Sequence, residues 1–182
     1  MNAQATVPPQ ESSLASTITR LATAIGKPHY PTGDRAAIRR WAPRQAVPLA
    51  FYRLWLRHAD AGLPSQGQTE VWQTIVWCIV TLGESAHTPS RRLGQALAES
   101  RYSEGRLERL LSAPDEVRPE LLMSAVRFLA AKGECFDLVE AAQLLLTTDE
   151  DRRESVNRRI AEAFYRYLPK NRRPPALSSG PI

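Results

Sequence analysis

Between Gln68 and Leu82 the chain carries Val71, Trp72, Ile75, Val76, Cys78, Ile79 and Leu82, which wrap almost the whole circumference of a helix. A helix that is apolar all round has no face to turn to water, so other elements must cover it on every side. This segment is therefore the expected centre of the fold. On either side of it apolar residues recur three and four positions apart, and no stretch sustains the alternation of a half-buried strand. The expected fold class is all-α, a compact bundle of about eight to nine helices in two lobes.

Punctuation residues divide the rest. A first helix is expected after Ser12-Ser13, with Leu14, Ile18, Leu21 and Ile25 on one stripe and Gly26 closing it. His29 to Gly33 read as a turn, after which Thr32 or Asp34 caps a short helix through Arg40 and Trp41, stopped by Pro43. Pro48 opens the next helix, which runs to about Ala59, and ADAGLPSQGQ is a loop. Thr88-Pro89 reads as a cap followed by a first-turn proline, starting a helix with Leu93, Ala96 and Leu97 inward. Ser103 caps a helix carrying Leu107, Leu110 and Leu111. Pro119 opens one with Leu122, Val126 and Leu129 that ends at Gly133, and Asp137 starts another from Leu138 to Leu146. The last runs from near Thr148 to Tyr167, with Val156, Ile160, Phe164 and Tyr167 at helical spacing. Residues 1–11 and 169–182 are expected to be disordered, leaving a helical domain at 12–168 with lobes 12–100 and 101–168.

Several chemistries find no support. No run approaches the length of a membrane span, and MNAQATVPPQESS lacks the features of a signal peptide, so a cytoplasmic protein is expected. Cys78 and Cys135 are far apart, and Cys78 sits in an apolar run, which suggests neither a disulfide framework nor a zinc site. The glycines form neither GxxxxGK[ST] nor GxGxxG. His29, His58 and His87 are scattered without HExxH or CxxC partners, so no metal or other cofactor is expected. Glu104 and Glu108 lie among Arg101, Arg106 and Arg109 at spacings that suit exposed ion pairs better than acid–base catalysis. An enzyme is the least supported class.

Charge is more informative. The net charge of +5 comes from 21 arginines and 3 lysines against 19 acids, and it is uneven: +5 over residues 1–60, −3 over 61–148 and +3 over 149–182. Arginine suits planar contact with phosphate, and basic ends around an acidic middle suit a protein that meets a polyanion with one part and protein with another. Arg35 and Arg39 share a helical face in GDRAAIRRW, where Ile38 and Trp41 supply the apolar side, so an outward guanidinium pair is expected. Arg40 and Arg44 extend it, and Arg53 and Arg57 repeat the spacing. Further sets are Arg101, Arg106 and Arg109 around Tyr102, and Arg152, Arg153, Arg158, Arg159 and Arg166 on the last helix. Arginines lining a groove hold a phosphate backbone without reading bases. Trp41, Phe51, Tyr52, Trp55, Trp72 and Trp77 sit on apolar faces and are expected to pack in the core more than to stack on bases.

An ordered series then resembles a known family. GDRAAIRR (33–40), FYRL (51–54), VWCIVTLG (76–83), LGQALAES (93–100), GRLERLL (105–111), VRFLAAKG with the following Asp137, and RRIAEAFY (158–165) together resemble the CasB family, the small subunit of the type I-E CRISPR Cascade complex. The resemblance covers roughly residues 15–168. It implies an all-helical, non-enzymatic subunit that pairs with a second copy of itself, assembles with the other Cascade subunits beside the crRNA, and helps hold the target DNA strands during R-loop formation. Arg39 and Arg40 match the family's basic pair. Arg106 and Arg127 match basic positions of the middle helices, and Arg158 and Arg159 match a basic run before an aromatic residue. With Arg35 and Arg101 these are the candidate nucleic-acid-binding residues. Gly105 leaves one basic slot of its segment empty, and the two chain ends lie outside the resemblance. A helical adaptor without nucleic-acid contact is the alternative. A helix-turn-helix regulator is disfavoured, because the loop at 60–68 is long and the helix after it is too apolar to enter a groove.

Overall fold

The computed structural model describes residues 9–59 and 62–169. Among them are nine helices: α1 (Pro9–Gly26), α2 (Thr32–Arg40), α3 (Leu49–His58), α4 (Gln66–Leu82), α5 (Leu93–Glu99), α6 (Glu104–Ser112), α7 (Arg118–Ala130), α8 (Leu138–Leu146) and α9 (Glu150–Tyr167). The described residues contain no strand, and one isolated parallel bridge joins His87 to Phe136. No described helix is long and apolar enough to cross a membrane.

The all-round apolar helix takes the central place. Gln73 through Val80 of α4 are buried without a break, and α1, α2, α7 and α8 all pack on it. One cluster of buried side chains runs from Ile18 in α1 to Phe164 in α9. Trp41, Phe51, Trp55 and Trp77 are buried and Tyr52 and Trp72 partly so, with Trp55 and Trp72 edge to face at 4.7 Å. The most extensive helix pair is α5 on α9. It depends on Gly94, where a β-carbon would stand 2.0 Å from the Ile160 carbonyl oxygen.

Several helix ends differ from the expected ones, for local reasons. α1 begins at Pro9, not after Ser13; proline's fixed φ and missing N–H suit a first helical turn. α2 is preceded by Pro31, and neither Thr32 nor Asp34 caps it; both Asp34 oxygens are engaged by Arg53. Thr88-Pro89 does not start α5. The Thr88 N–H donates to the Phe136 carbonyl at 3.0 Å, and Arg91 N–H closes a turn onto Thr88. α5 begins at Leu93, whose N–H donates to the Glu140 carboxylate of α8 at 2.7 Å, a cap supplied from 47 residues away. Burial raises the Glu140 pKa above its ordinary value. Ser103 stands at the start of α6 without a side-chain cap, whereas α9 begins near Thr148 as expected and takes its cap from Asp149 through the Arg152 N–H at 2.9 Å. Tyr167 lies on the exposed side of α9, and Leu168 closes the core there.

Other ends form as the residues predict. Asp137 caps α8 through the Val139 N–H at 2.9 Å. After α7 the chain turns at Gly133 with φ 69°, and the Glu134 and Gly133 N–H groups return to the Leu129 and Ala130 carbonyls, a left-handed C-terminal cap that glycine adopts without strain. The expectations for residues 1–8 and 170–182 lie outside the described residues.

Candidate nucleic-acid interface

Arg35 and Arg39 share a side of α2, but they do not form the outward pair expected of them. Each bends back to a helix C-terminus, where carbonyls lack partners and the dipole favours positive charge. Arg35 is half-buried; its Nη2 donates to the Ile25 carbonyl of α1 at 2.9 Å, and its guanidinium lies 5.7 Å from the Tyr30 ring centroid. Arg39 donates through Nη2 to the Val80 carbonyl of α4 at 3.1 Å, and its side chain is otherwise open to solvent. Arg40 is exposed with no partner among the described residues. Arg44 is taken by Glu120 at 3.2 Å and Arg53 by Asp34.

Trp77 gathers the strongest group. Its ring is buried in α4, and its indole N–H donates to the Arg39 carbonyl at 3.1 Å. The exposed Arg127 guanidinium of α7 lies 4.9 Å from its centroid. A cation held on an aromatic face is orientated at little entropic cost and keeps its outer donors free. Residue 39 through its backbone carbonyl and residue 127 through its guanidinium thus meet one indole.

The next position on α7 begins a second group. Phe128 meets Tyr102 edge to face at 5.2 Å, the Lys132 ammonium lies 5.2 Å from the Phe128 centroid, and Arg106 lies 6.0 Å from that of Tyr102. Arg101, beside Tyr102, is exposed in a left-handed conformation with φ 64°. The ion pairs expected between Glu104 or Glu108 and Arg101, Arg106 or Arg109 do not form among the described residues. Arg109 donates instead to the Gly105 carbonyl at 3.3 Å, and Glu104 accepts from the Tyr165 hydroxyl at 3.4 Å. Arg101 and Arg106 are therefore left without a carboxylate. Lys132 was not a candidate, although its spacing of four from Phe128 in VRFLAAKG is a signal the sequence contains.

On α9 the expected set separates. Arg159 is half-buried and donates to Gln143 of α8 at 2.7 Å, which makes it a helix–helix contact. Arg153 is held by Asp115 at 2.9 Å and by the Thr147 carbonyl, and Arg166 by Glu162. Arg158 and Arg152 remain exposed. α9 packs on α5 and α8, and no described contact joins Arg158 or Arg159 to the Trp77 group.

The model of the family described as CRISPR-associated protein Cse2 matches residues 34–165, a span from α2 into the last turns of α9. The chain belongs to the Cse2 family. Cse2, also called CasB, is the small subunit of the type I-E Cascade complex, a structural subunit whose partners include the other Cascade subunits. All eight candidate arginines fall within the matched span, whereas Lys27, His29 and Tyr30 precede it. No curated protein and no solved structure matches the chain.

Proposed function

We propose that this Cse2 subunit is a non-catalytic clamp that binds the nucleic-acid backbone without reading sequence and so stabilises the crRNA-guided R-loop. Arg39 and Arg127, 88 residues apart and both joined to Trp77, with no carboxylate on either among the described residues, carry this reading. Arg40 adjoins them, and Arg101, Arg106 and Lys132 around Tyr102 and Phe128 extend the basic surface. Arg158 offers a separate contact on α9. Arg35 and Arg159 serve the clamp by holding helices in place, since their guanidiniums are engaged inside the protein.

Base pairing between guide and target supplies specificity, and strand exchange in an R-loop is close to balanced, so a few backbone contacts are enough to tip it. The crRNA and target DNA strands are the proposed ligands, with a second copy of the subunit continuing the surface along them. In a salt series with a single strand, replacing Arg39 and Arg127 by alanine together removes two phosphate contacts and flattens the slope of log K against log salt by about 1.4. An unchanged slope in the folded double variant refutes the assignment.

One observation favours the adaptor reading. Leu49 and Leu56, seven apart on one side of α3, are 71% and 65% exposed, as expected of a surface that meets protein. A purified subunit that binds no strand at low salt, yet fails to enter Cascade when these leucines are replaced by serine, supports that reading.

A further inference from the structure

At the junction of α1, α2 and α3 lies a cavity of about 300 Å³, lined by Lys27, His29, Tyr30, Arg57 and His58, with Asp34 and Arg53 forming one wall. The volume is at the lower end for small-ligand pockets. Lys27 follows the end of α1, His29 stands in the turn to α2, and Arg57 and His58 close α3. Cations at helix C-termini are favourable in themselves, but that does not explain why two such ends and an intervening turn converge on one cavity.

Its chemistry is one-sided. Asp34 is the only carboxylate in the lining, and Arg53 engages both of its oxygens. Lys27 and Arg57 are exposed and have no ion-pair partner among the described residues. Burial first, then the charges of Lys27 and Arg57, hold the His58 pKa below its ordinary value, so these three side chains share one field. Tyr30 is 8% exposed, and its hydroxyl has no hydrogen-bond partner among the described residues. Burial, reinforced by Asp34 and opposed by Arg35 and Arg53, pushes its pKa up to about 12, so it remains a donor. An unpaired buried hydroxyl is costly unless something supplies an acceptor.

We propose that this cavity binds a phosphoryl group, held by Lys27 and Arg57 with hydrogen bonds from Tyr30, His29 and His58. Two fixed cations, a phenol and two imidazoles offer more donors than the two oxygens of a carboxylate can use, while a phosphoryl group brings several strong acceptor oxygens and up to two charges. Two sources share this chemistry. If the phosphate belongs to a bound strand, the inference rests on the function proposed above; if it is free phosphate, it stands alone. Lys27, His29 and Tyr30 precede the region matched by the family model, so much of the lining comes from outside that region.

The test follows the imidazole resonances of the full chain by NMR, with His58 assigned through His58→Gln, while inorganic phosphate is added at constant ionic strength set with chloride. A bound anion favours the imidazolium, so the His58 midpoint rises and saturates with phosphate. In Lys27→Ala with Arg57→Ala the rise is lost; both side chains are exposed, with no ion-pair partner among the described residues, and an unchanged melting temperature confirms that the variant is folded. No saturable rise with phosphate, or the same rise in the folded double variant, overturns the proposal. Single strands carrying a 5′-phosphate or a 5′-hydroxyl then separate the sources. A rise with both identifies backbone phosphate, a rise with the phosphorylated strand alone identifies a terminal group, and a rise with inorganic phosphate alone identifies the free ion. Each of these supports the pocket. Loss of strand binding in Arg39→Ala with Arg127→Ala, with the inorganic-phosphate response kept, separates failure of the clamp from failure of the pocket.

Discussion

Replacing Gly94 by alanine tests how closely α5 and α9 must approach. An added β-carbon would lie 2.0 Å from the Ile160 carbonyl oxygen, 2.8 Å from the Phe164 nitrogen and 3.0 Å from the Ile160 carbonyl carbon. All three atoms belong to the backbone of α9, so no side-chain rotation relieves the clash. Carbon–oxygen contacts of this kind settle at about 3.3–3.6 Å, so the helices must part by roughly 1.3–1.6 Å at that contact. The separation falls where Leu93, Ala96 and Leu97 of α5 meet Ile160 and Phe164 of α9, all fully buried, and a gap of about 0.5–1 Å forfeits a quarter to a half of each dispersion contact.

Overpacking costs about 1–3 kcal/mol, and the better helix propensity of alanine returns at most about 1 kcal/mol. Because rigid backbone opposes the change, the gross cost falls at the upper end of that range, and we expect a net loss of about 2 kcal/mol. For a chain of this length the loss lowers the melting temperature by roughly 4–8 °C. Thermal unfolding followed by circular dichroism at 222 nm reads it directly. Gly105→Ala is the internal control: nothing lies within 4 Å of its added β-carbon, and a gain of about 0.5 kcal/mol is expected from propensity. If Gly94→Ala melts within about 2 °C of the parent, the close α5–α9 approach is wrong.

Gln73 is fully buried in α4, and neither of its amide atoms has a hydrogen-bond partner among the described residues. Gln73→Met keeps the shape, removes the desolvation cost and is expected to stabilise the protein by about 1 kcal/mol or more; an unchanged or lower urea midpoint would show that the amide is satisfied. His87 is held below its ordinary pKa of 6.5 by burial, against the opposing pull of Asp137, and its Nδ1 accepts from the Leu138 N–H at 3.3 Å. Because the folded pKa is the lower one, the unfolded chain binds the proton more readily. The contribution of His87 is thus present above pH 6.5 and is lost as pH falls through the folded value. The melting temperature should fall more between pH 7.5 and pH 5.5 in the parent than in His87→Asn, and equal falls would remove His87 as the cause.

Much of this protein was legible because a helix is a local object. Spacing alone placed α4 at the centre, Asp137 at the start of α8 and Gly133 at the end of α7. The cap of α5 was not legible, because Glu140 arrives from another helix, and Thr88-Pro89, a plausible local start, is drawn into a turn by the Phe136 carbonyl. The arginines show the same division. The sequence by itself determined that the chain is helical, basic and built on the Cse2 pattern, since periodicity, charge and motif order are properties of the chain read in line. Only the tertiary structure decided which cations stay open to a ligand. A guanidinium is committed by whatever acceptor lies within hydrogen-bond reach, and for Arg35, Arg53 and Arg159 that acceptor is 10 to 19 residues away.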